Sequence, residues 1–310
     1  MSIYLAISDR DTGLFKSYLT KYLPDYVKIF EYNEKHKPDD IEMIIAWKHP
    51  LGLFKAYKNV KLISSMGAGV EHLINDPDLP TQAILSRVVD PQLTLGMQRY
   101  VVWAVIHLLK NIPIYTHQKN GHIWQTIPEN NLYQSIGILG MGVLGSACAL
   151  SLKKLGFDVK GYSKFPKKIE EIEVFDSFTT PLNKFATQCG IAICLLPSTQ
   201  DNYEILNESF FNSLPKGAGF INPGRGSQVN ETDLMKVLNN GQLSHAILDV
   251  FKEEPLSEDH LFWDHPNISI TPHIASISNP DSTSKILAES YLRVKQGLSP
   301  HYEVNREKGY

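Results

Sequence analysis

The stretch Gln134-Ser135-Ile136-Gly137-Ile138-Leu139-Gly140-Met141-Gly142-Val143-Leu144-Gly145, running on through Ser146-Ala147-Cys148-Ala149-Leu150-Ser151-Leu152-Lys153-Lys154-Leu155, decides the fold. Ile136–Leu139 is a short apolar run, as expected of a buried parallel strand. From Val143 the apolar residues take helical spacing, and Gly156 supplies a stop. Between them Gly140, Gly142 and Gly145 spell G-x-G-x-x-G. The first glycine permits the tight turn, the second lets the backbone approach a pyrophosphate, and the third lets helix and strand pack closely. The loop Gly140, Met141, Gly142, Val143, Leu144, Gly145 would then turn backbone N–H groups and the positive helix end toward phosphates. A lone glycine motif is weak. With a strand before, a helix after and a second strand following, it indicates dinucleotide binding.

The second strand is Phe157–Tyr162, followed by Ser163-Lys164-Phe165-Pro166-Lys167-Lys168. A site for an unphosphorylated ribose places Asp or Glu here, about twenty residues beyond the glycines. No such residue is present. Ser163 can bond a 2′-phosphate, and Lys164, Lys167 and Lys168 can neutralise it. This favours NADP(H), with NAD(H) as the alternative coenzyme.

The surrounding chain fits a soluble α/β enzyme. Its 310 residues, 43% hydrophobic and 20% charged, suffice for one or two domains with ample core. A net charge of −3 argues against nucleic acid or an anionic membrane as main partner. Cys148, Cys189 and Cys194 lie in apolar contexts without metal spacing, so they read as buried, reduced thiols of a cytoplasmic protein that holds no metal. The opening residues from Met1 run into a strand-like segment without a basic region, unlike a signal peptide. Around the glycines the chain is uncharged, but strand, turn and helix divide it too finely for a membrane span.

In the first third, strands are expected at Ile3–Ser8, Tyr26–Phe30, Ile41–Trp47, Leu62–Ser65 and Ala83–Leu85, with helices at Thr12–Tyr22 and Gly52–Tyr57. A strongly apolar helix, Met97–Lys110, and a looser one, Ile114–Trp124, read as connector and dimer arm. His107, among apolar neighbours, reads as a packed core histidine. The alternation resumes with strands Val174–Ser177, Ile191–Leu195, Gly219–Asn222, Ala246–Val250 and Ile268–Thr271. Helices are expected at Leu182–Gln188, Asn207–Ser213, Glu231–Asn239 with Asn230 as N-cap, and Ser282–Gln296. The fold class is therefore α/β: two Rossmann-like, doubly wound parallel-sheet domains with the active site in the cleft between them. Residues 1–98 with 283–310 form a discontinuous, flavodoxin-like substrate domain. Residues 99–282 form the dinucleotide-binding domain and carry the dimer arm.

Ligands of open α/β sheets bind beyond the carboxyl ends of the strands. Three late segments deliver charged residues there: Asn222-Pro223-Gly224-Arg225-Gly226, Asp249-Val250-Phe251-Lys252-Glu253-Glu254-Pro255-Leu256 and Thr271-Pro272-His273-Ile274-Ala275. The Arg225 guanidinium suits a carboxylate. His273 can exchange a proton with a carbonyl or alcohol oxygen. Glu254, if paired with it, would orient the ring and favour imidazolium. Singly these could be an ion pair, a surface acid and a loop histidine. Together, after a dinucleotide fingerprint, they form a candidate catalytic set.

At these residues the chain resembles the D-isomer-specific 2-hydroxyacid dehydrogenases, most closely the glyoxylate/hydroxypyruvate reductase A type, over essentially its whole length. The likeness rests on Met66-Gly67-Ala68-Gly69-Val70, the glycine stretch, Leu195-Leu196-Pro197, Gly224-Arg225-Gly226, Asp249-Val250-Phe251 with Glu254-Pro255-Leu256, Thr271-Pro272-His273, and Asn305-Arg306-Glu307-Lys308-Gly309-Tyr310. It implies that Arg225 binds the carboxylate and carbonyl of a 2-oxo acid, that His273 donates the proton in reduction, and that Glu254 is its partner. It also implies that the Ala68 and Gly69 N–H groups meet the substrate carboxylate. Trp47 stands where this type places a substrate-contacting tryptophan, and Leu196, Pro197 and Asp249 fall beside the coenzyme. Two departures stand out. Pro223-Gly224 replaces apolar residues, and Arg99 stands where relatives carry an acid.

The expected reaction is NADPH-dependent reduction of glyoxylate to glycolate and of hydroxypyruvate to D-glycerate, by a homodimer. The rivals are a D-lactate-type or phosphoglycerate-type dehydrogenase, and a non-catalytic nucleotide sensor. The end at Tyr310, which leaves no room for an added regulatory domain, and the basic loop disfavour the former. Joint retention of Arg225, Glu254 and His273 disfavours the latter.

Overall fold

The computed structural model describes residues 2–306; Met1 and, of the closing segment, Glu307, Lys308, Gly309 and Tyr310 lie outside the described residues. The chain divides into two compact units, Met1–Leu93 with Ser278–Tyr310, and Thr94–Ile277.

The first unit holds β1 (Ser2–Ile7), α1 (Gly13–Tyr22), β2 (Lys28–Phe30), β3 (Ile41–Trp47), β4 (Leu62–Ser65), α2 (Glu71–Ile74) and β5 (Ile84–Ser86). Its five strands are all parallel, in the order β2-β1-β3-β4-β5. Every residue of β1 is buried, as expected of a parallel strand covered on both faces. On one face Phe15 and Leu19 of α1 pack with Leu287, Ala288 and Tyr291 of the C-terminal helix Pro280–Lys295. That helix starts on Asn279, whose side chain accepts from the Asp281 and Ser282 N–H groups. The Gly52–Tyr57 segment forms only a 3₁₀ turn, Leu53–Ala56, because Gly52 enters it with φ 82° and Tyr57 leaves the helical region.

The second unit begins within α3 (Pro91–Leu109), followed by α4 (Ile112–Asn120). Helix α3 starts earlier than its apolar run suggests, because Pro91 opens it and Asp90 Oδ1 accepts from the Gln92 N–H. Next come β6 (Ser135–Leu139), α5 (Val143–Lys154), β7 (Asp158–Ser163), β8 (Glu173–Asp176), α6 (Leu182–Ala186), β9 (Ile191–Cys194), α7 (Glu208–Ser213), β10 (Ala218–Asn222), α8 (Glu231–Asn239), β11 (Leu243–Leu248) and β12 (Ile268–Ile270). The sheet order is β12-β11-β10-β9-β6-β7-β8. The order reverses between β6 and β9, which makes that crevice the topological switch point. Alternation along the strands sorts the core onto two faces. Ile136, Ile138, Ile191, Ile193, Ile221 and Ile247 pack with α3 and α5, whereas Leu139, Cys194, Phe220 and Leu248 pack with α6, α7 and α8. Asn230 caps α8 by accepting from the Asp233 N–H.

Val101, Ala104, Val105 and Leu108 of α3 are buried, while Leu95, Trp103 and Ile106 are exposed in the single chain. His107 is half-buried beside the Trp103 ring, at 5.1 Å between centroids, and not enclosed in the core. The three cysteines are free and buried, and burial pushes each thiol up to about 12. No helix among the described residues is long and apolar enough to cross a membrane.

His245 on β11 joins its Nε2 to Ser269 Oγ of β12 at 2.8 Å. Burial, reinforced by the nearby His107 and His265 charges, lowers its pKa to about 4. The unfolded chain therefore binds a proton that the folded chain refuses between pH ~6.5 and ~4, and stability falls as pH drops through that window. His245→Gln is expected to flatten this fall, measured as the urea midpoint against pH.

Candidate active site

The glycine turn is shaped by contacts that leave no room for side chains. Gly140 has φ 100°, and a Cβ there would meet Leu195 O at 2.3 Å; one at Gly145 would meet Gly140 O at 1.9 Å. At Gly142 a Cβ would meet nothing within 4 Å, so this glycine borders open space at the start of α5. Such a cradle fits a pyrophosphate. Neighbouring strand ends hold it: Gly140 N–H donates to Tyr162 O at 2.8 Å, and Leu195 N–H donates to Leu139 O at 2.7 Å. At the end of β7 Ser163 Oγ donates to Phe165 O at 2.6 Å, and beyond it Lys164 Nζ donates to Asp201 Oδ2 at 2.7 Å and Lys167 Nζ donates to Met141 O. Lys168 is exposed.

Arg225, Asp249 and His273 follow β10, β11 and β12, three adjacent parallel strands, so one edge of the sheet delivers all of them. Asp249 is fully buried. Its Oδ1 accepts from Thr271 Oγ1 at 2.6 Å and the Ile274 N–H at 2.9 Å, and its Oδ2 accepts from the Ala275 N–H at 2.8 Å. The Thr271 hydroxyl also meets Tyr100 Oη at 2.7 Å. Burial pushes the Asp249 carboxyl above the usual range, against these hydrogen bonds and the His273 charge. Its main-chain oxygen accepts from the His273 N–H at 2.9 Å, and His273 sits at φ 54°, the left-handed region. The loop carrying His273 is thus wrapped around Asp249.

The structure brings His273 and Glu254 together: the Nδ1 of the ring lies 2.7 Å from Glu254 Oε2. Glu254 Oε1 accepts from the Phe251 N–H at 3.1 Å. Burial alone would raise the Glu254 pKa. The bonds from His273 and Phe251, with the His273 and Arg225 charges, outweigh it and hold the carboxyl below its ordinary range. This arrangement leaves the ring's Nε2 for other chemistry, with the carboxylate fixing the tautomer. Arg225 is partly buried, and its Nη1 donates to Gly224 O at 2.9 Å.

Gln228, which sequence reasoning did not single out, underlies the arginine turn. It is fully buried. Its Oε1 accepts from the Arg225 N–H at 3.2 Å and Cys194 Sγ at 2.9 Å; its Nε2 donates to Leu196 O at 2.6 Å and Pro197 O at 3.1 Å. One amide therefore fixes both the Arg225 turn and the Leu196-Pro197 turn after β9. Only its complete burial marks it, and a polar residue after a glycine turn carries no such signal in sequence.

In the first unit, the turn after β4 holds Ala68 and Gly69. Their carbonyls are tied down: Arg87 Nη1 donates to Ala68 O at 3.3 Å, and Ser65 Oγ donates to Gly69 O at 2.6 Å. Among the described residues neither N–H has an acceptor. Trp47 packs its ring over Gly67, where a Cβ would come within 3.0 Å of Cζ3. Its Nε1 is buried without a partner among the described residues.

Residues 102–275 match the family described as D-isomer specific 2-hydroxyacid dehydrogenase, NAD binding domain. The chain is 33% identical over 309 residues to glyoxylate/hydroxypyruvate reductase A of Citrobacter koseri, covering 97% of each. It is similar to a D-isomer specific 2-hydroxyacid dehydrogenase from Xanthobacter autotrophicus Py2 solved with NADPH and MES, at 30% identity and TM-score 0.94 over 100% of this chain and 99% of that one. The NADPH-dependent glyoxylate/hydroxypyruvate reductase of Sinorhizobium meliloti, solved with NADP and sulfate, matches at 30% identity and TM-score 0.92 with the same coverage.

Replacing Gln228 with Met keeps the volume but strips partners from the Arg225 N–H and two carbonyls. A buried group left unsatisfied costs about 1–3 kcal/mol. Gln228→Met is expected to lower unfolding free energy by that order in urea denaturation.

Proposed function

We propose that this chain, which belongs to the D-isomer specific 2-hydroxyacid dehydrogenase family, reduces glyoxylate to glycolate and hydroxypyruvate to D-glycerate with NADPH. The observation that carries the reading is the His273–Glu254 pair at 2.7 Å, on the strand edge that also delivers Arg225. The glycine cradle fits the pyrophosphate, and Ser163, Lys164 and Lys168 are the proposed 2′-phosphate residues. The relatives solved with NADPH and NADP support this coenzyme.

In this reading the Arg225 fork binds the substrate carboxylate and orients the carbonyl. Ala68, Gly69 and Trp47 of the first unit are the further proposed substrate residues, the first two through N–H groups that have no acceptor among the described residues. When bound, the nicotinamide supplies the hydride to the carbonyl carbon. His273 gives the Nε2 proton to the carbonyl oxygen as charge develops there, and Arg225 stabilises that charge. Glu254 holds the ring by its Nδ1–H and stabilises the imidazolium before transfer. Leu196 and Pro197 are further proposed coenzyme residues; Asp249, fully buried, would act on that side only by fixing the loop that carries His273.

The proposed assembly is a homodimer through α3 and α4. Trp103 and Ile106 of α3, Ile112 and Ile114 of α4, and Ile123 and Trp124 just beyond it are exposed in one chain, Trp124 at 101%, and a partner would cover them. The proposed compartment is the cytoplasm, which keeps the three thiols reduced.

Three outcomes are expected. In side-by-side initial rates with glyoxylate and hydroxypyruvate, NADPH outpaces NADH, and His273→Gln lowers kcat by about 10²-fold or more; unimpaired reduction by that variant at neutral pH removes His273 as the acid. The depressed Glu254 pKa keeps that carboxylate ionised through the ordinary carboxylate range, so the acid limb of kcat/KM attributable to Glu254 falls below pH ~4.3. The sign follows from a folded pKa below the unfolded one: the pairing is present above the unfolded value and lost as pH falls through the folded one. Light scattering gives twice the mass of one chain, and Trp124→Asp shifts it toward the monomer.

A further inference from the structure

The proposed 2′-phosphate loop is not a set of waiting cations. Lys164 donates to Asp201 Oδ2 at 2.7 Å, and its Nζ also stands 5.9 Å from the Phe165 ring centroid. Both partners of the ion pair are well exposed, at 57% and 71% of their side chains. Asp201 belongs to the 3₁₀ turn Gln200–Asn202 that follows β9 and Pro197. This turn is itself anchored: Asn202 Nδ2 donates to Pro197 O at 2.9 Å, and the Asn202 N–H donates to Thr199 O at 3.0 Å. The Lys164 ammonium holds the Asp201 carboxyl below its usual range, so it is ionised at neutral pH.

We propose that Asp201 sets the coenzyme selectivity of this chain by holding Lys164 in a carboxylate pair that a 2′-phosphate must displace. This rests on the reading of Ser163–Lys168 as the 2′-phosphate site. A phosphate dianion arriving at Lys164 exchanges one anionic partner for another and meets the Asp201 carboxylate as a like charge. Its net gain is therefore smaller than Lys164 alone would give. A coenzyme whose ribose carries only a 2′-hydroxyl leaves the ion pair intact and meets no repulsion. Asp201 thus narrows the gap between NADP(H) and NAD(H) without touching the cradle or the catalytic residues. Ser163 adds to the same effect, because its single hydroxyl proton is given to Phe165 O.

The test is isothermal titration calorimetry of the full chain with NADP⁺ and NAD⁺, which reads binding without turnover. Asp201→Asn keeps the size and a neutral acceptor for Lys164 but removes the charge. The expected result is a rise in NADP⁺ affinity of about two- to fivefold, the worth of an exposed ion pair, with NAD⁺ affinity unchanged. The gain shrinks as salt is raised toward 1 M, because exposed charges are screened there. Lys164→Met is expected to lower the NADP⁺/NAD⁺ affinity ratio. In the double variant the Asp201 effect disappears. An unchanged ratio in Asp201→Asn, with a lowered ratio in Lys164→Met, overturns the role of Asp201 and leaves the phosphate site standing. An unchanged ratio in both variants overturns the phosphate site as well.

Discussion

A carboxylate with no exposed surface, at the end of β11, is the constraint on which the arrangement of Arg225, Glu254 and His273 depends. Asp249 collects a hydroxyl from Thr271 and N–H groups from Ile274 and Ala275, while its main-chain oxygen takes the His273 N–H. A buried carboxylate is costly unless its lone pairs are filled, and here the chain from 271 to 275 must fold around it to fill them. The backbone at His273 is thereby driven to φ 54°, which costs a non-glycine residue about 1–3 kcal/mol. Four donors directed at one residue over-determine the loop and sustain that strain. The reward is orientation: the His273 ring meets Glu254 through Nδ1.

The same logic recurs one strand over. Gln228 does for the Arg225 turn what Asp249 does for the His273 loop, with a neutral amide in place of a charge. A neutral group suits that position, because Arg225 stands beside it and Glu254 already feels the guanidinium. Adjacent parallel strands bring the two supports together. In such a sheet every strand ends on the same side, so residues distant in sequence share one edge without any contact between them having to specify it.

Most of this architecture was legible in the sequence because it follows from periodicity and from residues with few options. The glycine stretch announced β6, the turn and α5. The apolar alternation of Ile41–Trp47 and Leu62–Ser65 gave β3 and β4 at their observed bounds. Asn230 announced the start of α8. What escaped depends on tertiary context. Gln228 looks like any polar residue after a turn until its burial is known. His107 sat in an apolar run, yet the helix turns it toward exposed Trp103, because a single helix cannot bury every face against one sheet. Gly52–Tyr57 failed to become an α-helix for a local reason, too few residues between a left-handed glycine and Tyr57, which already leaves the helical region.

The two ends of the second unit are built on different physics, and this bears on which of them can change. At the Arg225–His273 end the supporting polar groups are buried, and every alternative arrangement strands a donor or an acceptor. At the Ser163–Lys168 end the contacts include an exposed ion pair, a lysine-to-carbonyl bond and a serine-to-carbonyl bond, and an exposed ion pair is worth about 1 kcal/mol or less. Rearranging them costs little, since water takes over whatever they release. The chemistry proposed for His273 and Glu254, which needs them fixed to a fraction of an ångström, accordingly falls where the fold is over-determined. Discrimination between coenzymes needs only a modest difference in affinity, and the loop proposed for it is one where single side chains can be exchanged without disturbing the sheet.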